Sequence, residues 1–200
     1  MKRNLLIKLT LGGIGICLLV IVGSFFTGPP KKTERAPAQL FNPSGNFTLT
    51  GTSGEPFQLQ DLRGNIVLLF FGYTSCPDAC PSTLAKLQRA FNLLSKEQIE
   101  QVRTMFISVD PERDNPKLLK EYVEYFGVNA IGLTGTKAEI DKVVKAYHAH
   151  YMIIPGQTSN WYSINHTTTV FLHDKQGKVR YRFLYEETPE QLAEAIRNYL

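Results

Sequence analysis

The 200-residue chain holds only three cysteines, at positions 17, 76 and 80. Cys17 sits inside an apolar N-terminal run, so two remain for everything beyond it. A scaffold stapled by disulfides in place of a core needs more than that, and a hydrophobic content of 43% is ample for an ordinary core. A surplus of positive charge is also missing from most of the chain. Six of the 22 lysines and arginines, but only one of the 18 acidic residues, lie in residues 1–35, which leaves 16 basic against 17 acidic residues beyond. With no basic face left over, nucleic acid is excluded as a partner. Internal repeats and low-complexity segments are absent. A single uncharged run, Leu9 to Phe26, is long enough to matter to a bilayer.

As a helix that run spans roughly 27 Å, close to a bilayer core. Lys2, Arg3 and Lys8 precede it, which keeps that end in the cytoplasm and sends the rest across. The run is long for a cleaved signal peptide and no small-x-small site stands out directly after it, so residues 1–27 are expected to be an uncleaved anchor, with a signal segment as the alternative. Lipid attachment at Cys17 is not expected, because Ile16 precedes it and apolar residues continue after it. Gly28-Pro29-Pro30-Lys31-Lys32 opens an extended, solvated tether over 28–45. The folded domain is expected over 46–200, facing an oxidising compartment.

Within that domain, Phe47–Thr50 and Pro56–Leu59 alternate around Gly51-Thr52-Ser53-Gly54 and predict a hairpin. Ile66 to Phe71 is a wholly apolar strand, followed from near Ser82 by helical spacing through Leu84, Leu87, Phe91 and Leu94. Thr104–Val109 is a second buried strand, and Asn115-Pro116 opens a helix that Gly127 stops. A short strand at Ile131–Leu133 and a helix capped by Thr136 follow. Thr169–Leu172 and Val179–Phe183 form a hairpin, and Thr188-Pro189 starts the last helix with proline in its first turn. Strands alternating with helices, then a hairpin and a helix, predict an α/β sandwich of thioredoxin-like type: a central mixed sheet flanked by helices, with an N-terminal β-hairpin extension.

Cys76 and Cys80 lie where the first buried strand hands over to a helix. Free backbone N–H groups and the positive helix end favour thiolate there. If both lie on the first turn, their i,i+4 spacing puts them on one face, able to close a disulfide or hold a soft cation. Pro77, Asp78 and Pro81 mark a turn and helix start, which argues against two unrelated core cysteines. The pair is one residue wider than in thioredoxin and leaves room for a third ligand. His166, in Asn165-His166-Thr167 ahead of a strand, is the candidate, since that loop approaches the redox helix in thioredoxin folds. A loop histidine bonded to backbone is the alternative. Two thiolates and an imidazole suit Cu(I) and can hold Cu(II); Zn²⁺ accepts the same donors with water. Asp110, at the end of the second buried strand, is a candidate carboxylate behind the ligands or an Asx-turn residue, and Asp114 is expected to cap the next helix. His148 and His150 do not share a helical face and are expected to be surface groups; His173 carries no assignment.

Together these residues resemble the Sco/SenC family of copper-binding, thioredoxin-fold proteins, from about Phe47 to the C-terminus. The resemblance rests on Phe71-Gly72-Tyr73-Thr74-x-Cys76-Pro77-Asp78-x-Cys80-Pro81, on Asp110-Pro111-Glu112-Arg113-Asp114, and on His166 ahead of a strand. It implies copper ligands at Cys76, Cys80 and His166. It also implies a metallochaperone serving the dinuclear copper site of cytochrome c oxidase, anchored in the inner membrane with its domain in the periplasm or an equivalent compartment. The expected partner is the copper-accepting oxidase subunit or another copper carrier. Two positions depart from the family: Ser75 stands where many members have His, and Asn165 where Asp often precedes the ligand His. Both bear on the charge around the metal, hence on affinity and potential.

A second reading is a thiol–disulfide oxidoreductase, with Cys76 attacking and Cys80 resolving, that keeps the acceptor's cysteines reduced. His166 would then be replaceable. A peroxiredoxin-like peroxidase fits poorly, because Thr74 is one residue too close to Cys76 and no Arg flanks the motif.

Overall fold

A run with no polar alternation has to be covered on both faces. Ile66–Gly72 meets that demand as β3, every residue of it buried. The computed structural model describes residues 46–156 and 161–200. The anchor and tether expected over 1–45 lie outside them, and among the described residues no helix is long and apolar enough to cross a membrane.

On one side β3 pairs in parallel with β4 (Val102–Ser108), which pairs in parallel with β5 (Ala130–Thr134). On its other side β3 runs antiparallel to β8 (Val170–His173), which continues into β9 (Val179–Phe183). The hairpin of β1 (Thr48–Gly51) and β2 (Pro56–Gln58) joins the far edge through β5, giving the order β2-β1-β5-β4-β3-β8-β9.

Five α-helices flank this sheet among the described residues: α1 (Ala79–Phe91), α2 (Lys96–Glu100), α3 (Pro116–Phe126), α4 (Lys137–Ala146) and α5 (Pro189–Arg197). The strand period of two sends Phe70 to one face and Phe71 to the other. Phe70 meets Phe106 at 6.0 Å between ring centroids, and Phe106 meets Tyr122 of α3 at 5.3 Å. Phe71 packs edge-on to Tyr147 and Phe171 at 5.7 and 6.2 Å. The helix starts follow the caps: Asn115, Thr136 and Thr188 each accept a hydrogen bond from the third residue beyond, and Gly127 ends α3 in the left-handed region at φ 60°.

Four features differ from the sequence reading. α1 starts at Ala79, so Cys80 is in its first turn while Cys76 precedes it. The five-residue α2, closed by a Ser95–Gln98 capping box, is too short to show a hydrophobic period. β6 (Tyr151–Pro155) and β7 (Tyr162–His166) form a separate two-stranded arm. Its Met152-Ile153-Ile154 run does not alternate, because all three are substantially exposed. His173 is fully buried, its Nδ1–H donating to the Val67 carbonyl (3.2 Å) while Nε2 accepts from the Tyr147 hydroxyl (2.8 Å). Burial lowers its pKa to about 4, so it stays a neutral link in the core.

Candidate metal site

The sulfur half of the site begins where β3 ends. After Gly72 the chain turns through Tyr73-Thr74-Ser75, closed by the Cys76 N–H bonding the Tyr73 carbonyl at 3.2 Å. Cys76 is therefore placed by a turn and Cys80 by α1. The N-cap residue Asp78 makes no side-chain cap, so amides at the helix start remain available. The Cys80 N–H takes the role expected of a free helix end, donating to Cys76 Sγ at 3.4 Å. Both cysteines are free thiols; Cys76 is half-buried and Cys80 fully buried. Gly72 makes the close approach of Cys80 possible: a Cβ there would lie 2.9 Å from Cys80 Sγ and 2.6 Å from the Phe106 ring.

The imidazole half comes from β7. His166 is its last residue, a strand position where the sequence suggested a loop. It is buried, edge-on to Tyr73 and Phe70 with ring centroids at 5.7 and 6.0 Å. Nδ1 lies 3.1 Å from the Thr167 carbonyl, which can only accept, so Nδ1 carries a hydrogen. Nε2 then faces the sulfurs, 3.3 Å from Cys80 and 3.8 Å from Cys76. The backbone-bonded histidine and the inward-facing one are thus the same residue, using its two nitrogens for two tasks.

The three donor atoms lie within 4.8 Å of one another, and no other such cluster of three occurs among the described residues. Donors roughly 2.0–2.3 Å from a shared ion stand about 3.5–4 Å apart, so the group needs only small adjustment to close on a metal. Two sulfurs and one imidazole form a soft set that favours copper over hard cations.

The thiols differ in acidity. The hydrogen bond from the Cys80 thiol, helped by His166 and by the Cys80 and Asp78 amides, holds Cys76 down to about 3 against the opposing effect of burial. Burial first, then the neighbouring Cys76 thiolate, pushes Cys80 well above the usual thiol range. One sulfur is a ready thiolate; the other keeps its proton until something replaces it.

Asp110 contacts neither cysteine nor His166 by hydrogen bond. Its carboxylate accepts from the Tyr162 hydroxyl at 2.7 Å and from Arg113 Nε. The cap of α3 is Asn115, contrary to expectation. Asp114 is instead fully buried and accepts from Thr74 N–H (2.9 Å), Thr74 hydroxyl (2.6 Å) and Ser108 hydroxyl (2.7 Å). The sequence offered little sign of Thr74, Tyr73 and Tyr162 as site-supporting residues, because their partners lie 40 or more positions away. Ser75 and Asn165, the two departures from the family pattern, are both exposed. His150 bonds Thr167 through Nδ1 at 3.1 Å, and His148 takes a left-handed backbone at φ 47°; neither joins the three-donor cluster.

A mixed sheet carrying two thiols at a strand-to-helix turn and an imidazole opposite defines a thioredoxin-like protein built to hold a soft metal ion. The SCO1/SenC family model matches residues 35–200, and the chain belongs to that family. A SCO2-like protein of Rickettsia conorii is 33% identical over 194 residues, covering 92% of this chain and 94% of its own. A putative copper-binding protein of Stutzerimonas stutzeri is 36% identical over 148 residues, covering 74% and 68%. The structure of Bradyrhizobium japonicum ScoI with copper bound superposes with a TM-score of 0.71 at 36% identity, covering 78% of this chain and 98% of that one.

Proposed function

We propose that this chain is a membrane-anchored copper carrier that holds Cu(I), and also Cu(II), through Cys76, Cys80 and His166 and passes it to the dinuclear copper site of cytochrome c oxidase. The observation that carries this reading is the convergence of Cys76 Sγ, Cys80 Sγ and His166 Nε2 within 4.8 Å. Copper is the cargo: Cys76 offers a thiolate, Cys80 gives up its proton as the ion binds, and the Thr167 carbonyl keeps Nε2 aimed inward. Half-exposure of Cys76 leaves an approach for an incoming thiolate, so the ion can leave by stepwise ligand exchange without unfolding. The apolar run at Leu9–Phe26 supports anchorage, and the oxidase as destination rests on family membership.

The test is titration of reduced protein with Cu(I), read by X-ray absorption. One equivalent bound by two sulfurs and one nitrogen is expected. Ala at any of the three positions should abolish tight stoichiometric binding while the domain stays folded, with His166→Ala leaving only a weak two-sulfur site whose affinity can still be measured. Tight binding retained by His166→Ala overturns the three-ligand reading.

A second reading is favoured by the acidity difference between the thiols. Cys76 thiolate attacks an acceptor disulfide to form a mixed disulfide. Cys80 then displaces the acceptor as a dithiol, leaving Cys76 joined to Cys80, so two electrons pass to the acceptor. Turnover of a disulfide substrate that survives His166→Ala would favour this role.

A further inference from the structure

The strand that carries His166 is not part of the main sheet. β6 and β7 pair only with each other, so no ladder of backbone bonds fixes β7 to the seven strands from which the cysteine turn emerges. The three-residue link from His166 to Val170 of β8 holds one end of β7 near the sheet, and the distance between imidazole and sulfurs is otherwise set by side-chain ties. We propose that the Asp110–Asp114 turn is a brace that holds the two halves of the metal site in register, with Asp110, Arg113 and Asp114 as positioning residues. This rests on the copper reading above.

The turn is itself closed, because the Arg113 and Asp114 amides both donate to the Asp110 carbonyl at 3.2 and 2.9 Å. It projects ties in two directions. Towards the arm, Tyr162 is held at three points. Its hydroxyl donates to Asp110 Oδ1 at 2.7 Å, its carbonyl accepts from Arg113 Nη1 at 3.1 Å, and its ring lies 3.7 Å under the Arg113 guanidinium. Asp110 and Arg113 are themselves an ion pair, with the aspartate buried. Tyr162, Ile164 and His166 share one face of β7 by strand period, so fixing the first steers the third. Ile164 adds a tie of its own, its N–H donating to the Tyr73 hydroxyl at 3.1 Å, and Tyr73 opens the cysteine turn.

Towards the cysteines, Asp114 grips Thr74 by both backbone and hydroxyl, two residues before Cys76, and is tied to the end of β4 by Ser108. One five-residue turn therefore touches both sides of the site without touching any of its donor atoms. A guanidinium suits the arm side because it can pair, donate and stack at once; lysine cannot do all three. Three surface contacts of this kind would be weak, but a buried carboxylate that anchors them makes the geometry hard to relax.

The experiment is a double-mutant cycle on Cu(I) affinity in the whole protein, using Tyr162→Phe and His166→Ala, with X-ray absorption on each copper-loaded form. Tyr162→Phe removes one hydroxyl and keeps the ring under the guanidinium. The expected result is affinity weakened about tenfold, with the nitrogen contribution reduced and both sulfurs kept. In the His166→Ala background the same change should do nothing further, because the imidazole it positions is gone. Arg113→Lys should repeat the pattern. Asp114→Asn should weaken binding with the nitrogen retained, since it acts on the sulfur side. Thermal unfolding of each metal-free variant separates positioning from stability: a lowered midpoint with unchanged affinity and nitrogen signal overturns the brace. So does an effect of Tyr162→Phe that persists in full without His166. Wild-type protein that takes up no Cu(I) overturns the copper reading and the brace with it, whereas binding with an additive cycle overturns the brace alone.

Discussion

Cys76 and Cys80 are one residue type four positions apart, yet their environments drive them in opposite directions. Cys76 sits far below its ordinary value of 9.0, so folding removes a proton that the unfolded chain keeps. Its contribution to stability is complete above that ordinary value and is lost as the pH falls towards about 3. Cys80 has the opposite sign: its contribution is complete below the ordinary thiol range and lost as the pH climbs. Iodoacetamide should therefore label Cys76 and spare Cys80, at a rate nearly flat between about pH 5 and 8. A rate rising tenfold per pH unit across that range would mean an ordinary thiol at position 76. Gly72 is the second residue whose character follows from its surroundings. In Gly72→Ala the new Cβ would meet the Phe106 ring at 2.6 Å and Cys80 Sγ at 2.9 Å. Overpacking of this kind costs about 1–3 kcal/mol, measured by chemical denaturation, and should also weaken Cu(I) binding by displacing a ligand.

Among the elements, helix starts follow local chemistry most faithfully. Asn115 Oδ1 accepts the Leu118 N–H at 3.0 Å, with Pro116 in the first turn. Asn115→Ala should lower stability by about 1 kcal/mol in urea denaturation, and a neutral result would remove the cap from the account of α3. Strands of the main sheet follow local chemistry, the central ones through continuous apolar runs and the β1–β2 and β8–β9 hairpins through alternation around their turns. β3 and β4 were legible because burial on both faces demands continuous apolar residues. β6 was not, because its exposed Met152 and Ile153 obey neither the alternation of a half-buried strand nor the continuity of a buried one.

At the level of the whole molecule, the donors come from two bodies that share no ladder of strand pairing. The seven-stranded sheet carries the thiols, while the two-stranded arm carries the imidazole through side-chain ties. Amide hydrogen exchange should accordingly be slowest in β3 and β4 and faster in β6 and β7. Copper binding adds a bond between the bodies, so Cu(I) should slow exchange in β7 more than in β4 and raise the thermal midpoint, both effects vanishing in His166→Ala. Equal slowing throughout would mean that the ion does not bridge them.

Apolar period, caps and turn residues specify α/β order, because each acts within a few positions of itself. The same locality made the cysteine pair and its helix visible from composition and spacing alone. Whether His166 would reach that pair, 86 positions away from Cys80, had no local signal; it depended on where the separate β6–β7 arm places its last residue. Asp114 shows the limit most clearly. Adjacent to a helix start, it has the chemistry of a cap, and only the position of Thr74, brought in from 40 residues away, turns its carboxylate to the metal site instead. A side chain's type states what it can bond; packing settles which partner comes within reach.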